Sequence, residues 1–535
     1  MTAGLEGSPP GLSRRRFLES LGGMGGSALL LGGMSALGLG IESATAGPPA
    51  LSGGGGRKIV ILGAGVAGLT AAYELSRAGY DVTVLEARSF AGGRCQTARK
   101  GFTLTELGGE TQTCDFDDGH YINHGPWRIP YHHHSTLHYT KEFNIPLEVF
   151  VNDNDASYVM YGKGKGPLAG KPLRKGQVAA DIRGGAAEVL AKSVKQGALD
   201  QSMSAEDRER FLAYLVNEGY LDSDLAYRGT DGRGYDVLPG AGVSPGPGKA
   251  STPYAFQDVL NSGAWKTVRS VAGFEQQRTM FQPVGGMDQI AKGFEAKVGN
   301  LIRYSTVVKT LRQSDKGVEI TYAGPDGQTG KLKADYCLCT IPLSVLRQMD
   351  IQASKPFKAA IGAVSYALVG KIGLQMKRRF WEEDHSIYGG HVYFDDPEIL
   401  TMTLPSTGWQ GRKGVIQGYY QFGAQAAKVS ALSPAERQAL ASRAGDRVFP
   451  GYSDNIESSF SAAWHRIEHN LGGWAQWSDE ARVSAYPVLC EPDGRLYLAG
   501  EHLSYLTGWQ AGGIESAWQQ ITKLHARIQA EGGKA

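Results

Sequence analysis

The sequence predicts an α/β fold whose principal domain is assembled from three separated stretches of chain, with an α+β region and a helical insertion between them. Three observations predict it. A strand, glycine loop, helix and second strand occupy 58–86; Gly285 and Gly286 lead into a helix to about Val298; and a late strand, Arg495 to Leu498, runs into Ala499, Gly500 and Glu501. Such punctuation recurring so far apart excludes a simple tandem of domains.

The first stretch carries the most information. Lys58 to Leu62 is an apolar strand. Gly63 lets the backbone turn sharply out of it, Gly65 lets the chain approach a pyrophosphate without a Cβ in the way, and Gly68 permits close helix-on-strand packing. Val66 and Ala67 open a helix to Ala78 whose first N–H groups face the phosphates, and Gly79 follows where a left-handed cap is wanted. Asp81 to Leu85 is a second apolar strand, and Glu86 falls about where an acid should meet a ribose hydroxyl. The whole reads as a Rossmann-like βαβ unit for a dinucleotide. A glycine-rich loop in an unrelated fold is the competing reading, and the flanking strand, helix and terminal acid count against it.

At 535 residues the chain has room for two or three domains. Lys plus Arg number 55 against 53 for Asp plus Glu, so no global field recruits nucleic acid or an anionic membrane. The 74 glycines follow no period, which excludes a solenoid or collagen-like repeat. Cys95, Cys114, Cys337, Cys339 and Cys490 make an odd set that does not read as a disulfide framework. Cys337 and Cys339 alternate with Tyr336 and Leu338 in a strand-like run and are expected in the core.

Residues 1–46 form a separate unit. Ser13, Arg14, Arg15, Arg16, Phe17 and Leu18 precede a glycine-diluted apolar run from Leu21 to Ile41, then Ala44, Thr45 and Ala46. This predicts a twin-arginine export signal, cleaved near Ala46, and a periplasmic or extracellular protein. The glycines and the small-residue site argue against a retained membrane span.

After a linker over 47–56, residues 57–125 supply the first part of the principal domain, including a second turn at Gly92, Gly93 and Arg94 whose guanidinium suits a phosphate. Gly125, Pro126, Trp127 and Arg128 lead into a contact segment over 126–138. From 139 to 250, helical segments such as Ala186 to Val194 and Ala205 to Asn217 alternate with polar loops, the pattern of an inserted lid. Residues 251–281 belong with a substrate-side region. Residues 282–341 supply the second part of the principal domain, with strands around Val307 and Val318, a hairpin at Gly324 to Gly327, and Lys331 to Thr340 completing a small sheet. Residues 342–484 mix strands and helices, and 485–530 supply the third part. In its helix, Ile514, Trp518, Ile521, Leu524 and Ile528 share one face that should pack on the sheet.

His132, His133 and His134 tempt a metal reading. Adjacent side chains point in different directions and no Cys or carboxylate cluster stands at ligand spacing, so no metal is expected. A Gly-x-Ser-x-Gly motif does not occur at a strand-to-helix turn, which leaves a hydrolase unsupported.

Taken together, the 63–68 loop, Gly92-Gly93-Arg94, Gly285-Gly286-Met287, Cys339 to Pro342, Lys371 to Trp381 and Ala499 to Trp509 resemble the flavin-containing amine oxidase superfamily over nearly the whole chain after the signal. Gly125 to Pro130 most resembles the L-amino-acid oxidases. The resemblance implies an FAD-binding Rossmann-like domain beside an α+β substrate domain with a helical insertion, and a homodimer. It places Gly63, Gly65, Val66, Ala67, Gly68, Glu86, Ala87, Arg88, Gly92, Gly93, Arg94, Gly125, Pro126, Trp127, Arg128, Val307, Glu501, Trp509, Gln510, Ala511 and Gly512 at the cofactor, with the Val307 backbone against adenine. No cysteine stands in Gly472-Gly473-Trp474, so the FAD is expected to be non-covalent. Arg128 is implied to hold the substrate carboxylate, and Lys371 to hold a water near flavin N5. Gly508, Trp509 and Trp474 would surround the substrate, the two tryptophans forming an aromatic cage. Arg128, Lys371 and Trp509 are thus the residues expected at the chemistry.

The chemistry agrees with those assignments. A guanidinium presents a planar fork that fixes a carboxylate by two charge-assisted bonds, which a lysine does less well; the competing reading pairs Arg128 with a protein carboxylate. The start of the helix near Gly512 would stabilise negative charge on the reduced ring. Snake-venom-like oxidases place a tyrosine against the carboxylate, but Leu400 to Pro405, the roughly aligned stretch, has none; Tyr419 and Tyr420 are both open as substitutes. The implied activity is oxidative deamination of an L-amino acid to a 2-oxo acid, ammonia and hydrogen peroxide, by hydride transfer to flavin N5 with O2 as oxidant. A primary-amine or polyamine oxidase, an amino-acid 2-monooxygenase and a nucleotide carrier without oxidase activity stand as alternatives.

Overall fold

Five parallel strands carry the glycine loop. In a computed structural model that describes residues 47–244, 246–268 and 273–532, they lie in the order Ile302–Arg303, β2 (Asp81–Leu85), β1 (Lys58–Leu62), Tyr336–Cys339 and Leu496–Leu498. Alternation along β1 decides what covers each face. Ile59 and Ile61 face a core shared with α1 (Val66–Arg77), the helix Gln289–Val298 and the C-terminal helix Gln510–Gly532. Val60 and Leu62 face a second core under the antiparallel strands Val307–Ser314 and Gly317–Ala323. Burial on both faces is what a parallel sheet requires. Ile514, Trp518, Ile521, Leu524 and Ile528 all enter the first core, while Cys337 and Cys339 lie fully buried in the second as free thiols.

The small sheet ends earlier than expected. Thr329–Ala334 pairs with Gly317–Ala323, and the chain then crosses at Asp335 into Tyr336–Cys339, the parallel neighbour of β1. The physical reason is composition: Thr329–Ala334 alternates exposed and half-buried residues, whereas Tyr336 to Cys339 is apolar throughout and suited to two-sided burial.

A seven-stranded mixed sheet forms the second half, in the order Ile456–Ala463, Val369–Met376, Gly414–Phe422, Thr401–Leu404, Gly390–Phe394, Tyr158–Met160 and Leu173–Arg174. The 139–250 stretch therefore differs from the expected helical insertion. Its helices Lys175–Lys195 and Ala205–Gly219 follow strands at 147–151, 158–160 and 173–174, the first paired with Thr279–Pro283. Short β-branched and aromatic runs such as Leu147–Val151 fit a pleated, half-buried surface.

The expected linker is partly docked, since Gly54 and Gly56 donate to the carbonyls of Ala78 and Gly79 at 2.8 and 3.1 Å. Leu51–Ala535 is one compact unit. The export signal over 1–46 lies outside the described residues, and among those described no helix is long and apolar enough to cross a membrane.

Candidate active site

A cavity of about 650 Å³ opens beside the glycine loop, lined there by Gly63, Gly65, Val66 and Ala67. Gly63 has φ +100°, which only glycine adopts without strain. Gly68 does not line the cavity: a Cβ on it would stand 2.0 Å from the Gly63 carbonyl oxygen, so α1 can lie this close to its own strand only through glycine. The N-cap, Gly65, makes no side-chain bond to α1, which leaves that end suited to an anion. Glu86 accepts from the amides of Ala64 at 2.7 Å and Arg88 at 2.9 Å, tying the end of β2 to the loop. Ala87, Arg88, Gly92, Gly93 and Val307 continue the lining. Arg94 also lines it but is committed within the protein, its Nη1 donating to Glu501 and to the Gly473 carbonyl, both at 2.8 Å. Glu501 is thus its ion-pair partner within the chain.

The other lining comes from the seven-stranded sheet. Lys371 and Tyr420 are cross-strand partners, and the pleat puts them on one face while Ile372 and Tyr419 turn into the opposite core. Register thus decides between the two tyrosines: Tyr420 lines the cavity. Lys371 Nζ lies 4.5 Å from the Tyr420 ring centroid and 5.1 Å from that of Trp127. It donates to the carbonyls of Gly125 at 2.7 Å and Asn123 at 3.2 Å, with no carboxylate partner among the described residues. Burial, reinforced by Arg128, holds its pKa well below the ordinary lysine value.

Arg128 stands over Trp127, with its guanidinium carbon 4.7 Å from the ring centroid. Nη2 donates to Gln276 Oε1 at 2.5 Å, and Nε is buried without a partner among the described residues. No ion pair to it occurs among the described residues. Burial pushes its pKa down to about 10, so it stays charged at neutral pH. A half-buried guanidinium with its Nε unpaired is costly unless an anion meets it.

The C-terminal helix presents Gln510 and Gly513 to the cavity, with Trp509 and Gly508 before it. Ala511 and Gly512 are not among the lining residues: the Ala511 side chain is fully buried, and a Cβ on Gly512 would sit 2.3 Å from the Leu506 carbonyl oxygen. Helical periodicity explains this, since positions three apart share a face. Trp474 and Trp509 both line the cavity, but Trp474 packs edge-on against Phe422 and Trp509 against His133, with no ring contact between the two tryptophans among the described residues. Gly125, Pro126 and Trp127 complete this wall.

The histidine run is arranged differently from the sequence expectation. His132 and His133 converge, their Nε2 atoms 3.2 and 2.9 Å from the two oxygens of Glu275, and the three donor atoms lie within 4.8 Å of one another. The carboxylate comes from a distant loop. Gln277 Nε2 also donates to His132 Nδ1 at 2.9 Å, which makes His132 Nε2–H the donor to Glu275 and leaves no lone pair there for a metal. Burial opposes a charged Glu275, but the two histidines outweigh it and hold its pKa below the usual carboxylate value.

A family model described as flavin containing amine oxidoreductase matches residues 66–520. YobN of Bacillus subtilis (strain 168) is 28% identical, over 86% of this chain and 93% of its own length. The flavin-dependent L-tryptophan oxidase RebO of Lentzea aerocolonigenes is 26% identical, over 88% of this chain and 98% of its own. Cyclohexylamine oxidase from Brevibacterium oxydans IH-35A superposes with a TM-score of 0.59 at 15% identity, covering 88% of this chain and 99% of that one, a likeness of fold.

Proposed function

The chain belongs to the flavin containing amine oxidoreductase family, and on that premise we propose that it oxidises the α-carbon of L-amino acids, with FAD held non-covalently. The observation that carries the amino-acid reading is Arg128, a half-buried guanidinium with an orphaned Nε and one neutral partner among the described residues, facing the cavity. The residues present fit the cofactor. The start of α1 and the glycine turns at 63–65 and 92–93 would take the pyrophosphate, Glu86 the ribose, and Val307 the adenine. Cys95, which lines the cavity, gives its thiol to the Met287 carbonyl and accepts from Gln510, with burial pushing its pKa up to about 12; that suits an unattached cofactor.

Bound flavin supplies the two-electron oxidant for the substrate and passes the electrons to dioxygen. The net reaction converts amino acid, O2 and water to 2-oxo acid, ammonia and hydrogen peroxide. Arg128 fixes the carboxylate by two parallel bonds, and Tyr420, which lines the same cavity, would complete that clamp. Lys371 in its neutral form spends both N–H groups on Gly125 and Asn123 and keeps a lone pair to orient a water. The same proposal has the chain exported through its twin-arginine segment and working as a homodimer, which cell fractionation and sedimentation would test.

The deciding experiment is a peroxide-release screen over L-amino acids, their D-forms and the corresponding decarboxylated amines. Activity on L-acids is expected. Turnover of amines with none on acids would replace the reading by an amine oxidase, and an amide product in place of the 2-oxo acid would replace it by a monooxygenase.

A further inference from the structure

Gln276 reaches the cavity from a segment far from Arg128 in sequence and meets it with a neutral oxygen, Oε1, 2.5 Å from Nη2. The residues on either side of it are fastened. Glu275 accepts from His132 and His133, at 3.2 and 2.9 Å. Gln277 bonds to His132 Nδ1 and to the Phe274 carbonyl at 2.9 and 2.7 Å, accepts from the Tyr131 amide at 3.3 Å, and its own carbonyl accepts from Asn152 Nδ2 at 2.8 Å. Pinned on both sides, Gln276 is directed at the guanidinium.

A guanidinium can offer Nε–H and Nη–H together to the two oxygens of a carboxylate. Here Nη2 holds one uncharged oxygen and the buried Nε holds none. We propose that Gln276 is a built-in competitor for Arg128: its amide oxygen and a ligand's carboxylate contend for the same donors, and this contest sets the enzyme's affinity for acids relative to amines. The inference rests on the carboxylate role proposed for Arg128. A carboxylate wins because it can fill both arms with charge-assisted bonds, about twice as strong as the neutral one it replaces. A ligand without a carboxylate does not need Arg128, so Gln276 leaves its affinity untouched. Glu275 and Gln277 act as positioning residues, since they set where the competing oxygen stands.

The test uses the purified holoenzyme and two probes, benzoate and, as the uncharged control, benzyl alcohol, each titrated by quenching of tryptophan fluorescence. Gln276→Met keeps the chain length and removes the oxygen; it should bind benzoate about tenfold more tightly with benzyl alcohol unchanged. Gln276→Glu puts a permanent carboxylate on Arg128 and should weaken benzoate by about a hundredfold or more, again without moving benzyl alcohol. Either variant suffices if the other fails to fold, as judged by thermal melting. Benzoate bound as before or more weakly by Gln276→Met, or no less tightly by Gln276→Glu, would overturn the competitor. Arg128→Ala separates the two claims. If it abolishes benzoate binding while the Gln276 variants do nothing, only the competitor falls; if it keeps the original affinity, the carboxylate role of Arg128 falls as well.

Discussion

Arg437 is a fully buried guanidinium and Arg128 a half-buried one on the cavity wall, and the protein treats them oppositely. Arg437, on the helix Pro434–Val448, places Nη1 and Nη2 on the two oxygens of Glu106 at 2.8 and 2.6 Å, with further bonds to Ser461, Ser430 and Leu432. Every nitrogen is satisfied, and Glu106 also accepts from the Ala463 amide, joining the 106 segment to the seven-stranded sheet. Among the described residues Arg128 has one bond, to an amide. Lys371 likewise has two carbonyls and no anion. The difference separates basic groups used to hold the fold from basic groups held for a ligand: the first are neutralised inside the chain, and the second, a charged Arg128 and a neutral Lys371, are left without an anion at a cavity wall.

The contrast is sharpest in stability. Glu106→Ala would strand Arg437 in the interior, so unfolding free energy should fall by about 3–5 kcal/mol, read from urea denaturation. A loss under about 1 kcal/mol would mean that this pair is as dispensable as a surface ion pair, and the contrast with the cavity would break.

Arg128→Met tests the other side. Its stability should stay within about 1 kcal/mol of the parent or rise, because a desolvated charge with one neutral partner is replaced by an apolar chain. kcat/KM on L-amino acids should fall by about 3 kcal/mol, roughly two decades, with a much smaller loss on any amine that is turned over. Equal loss on acids and amines, or a stability drop as large as that of Glu106→Ala, would make Arg128 another structural arginine.

How far this was legible in the sequence follows from the range of each interaction. The β1, α1 and β2 unit could be read because its glycines, strands and acid are local, and the burial of Cys337 and Cys339 follows from an unbroken apolar strand buried on both faces. Arg128 could be singled out by its Gly-Pro-Trp context. Its partner could not, because 148 residues separate it from Gln276 and their meeting depends on how two loops fold together. Glu275 was hidden from the histidine run for the same reason. Tyr419 and Tyr420 are indistinguishable in the sequence because their strand, Gly414–Phe422, is buried on both faces over most of its length, so no polar alternation marks which side faces the cavity; a register shift between Ile372 and Gly373 then intervenes. Of the first four residues of the C-terminal helix only Gln510 and Gly513 line the cavity, because the turn rotates the two between them off that face, a distinction the stretch of small residues does not carry.

The smallest expected effect concerns Lys371, and its sign depends on pH. The folded-state pKa lies well below the ordinary lysine value, because burial and then Arg128 oppose the ammonium. Between that depressed value and the unfolded value near 10.4, the unfolded chain binds the proton and the native site does not, so this residue makes stability rise with pH. Lys371→Met removes the dependence while keeping a side chain of similar length. The variant should therefore be more stable than the parent by about 1 kcal/mol or more at neutral pH, with the advantage shrinking as pH climbs towards 10.4, measured by urea denaturation across that span. An advantage that grows with pH, or a variant less stable at neutral pH, would mean that Lys371 is charged and satisfied in the native state. It would then belong with Arg437 among the residues that hold the fold, and Arg128 alone would remain on the other side of the comparison.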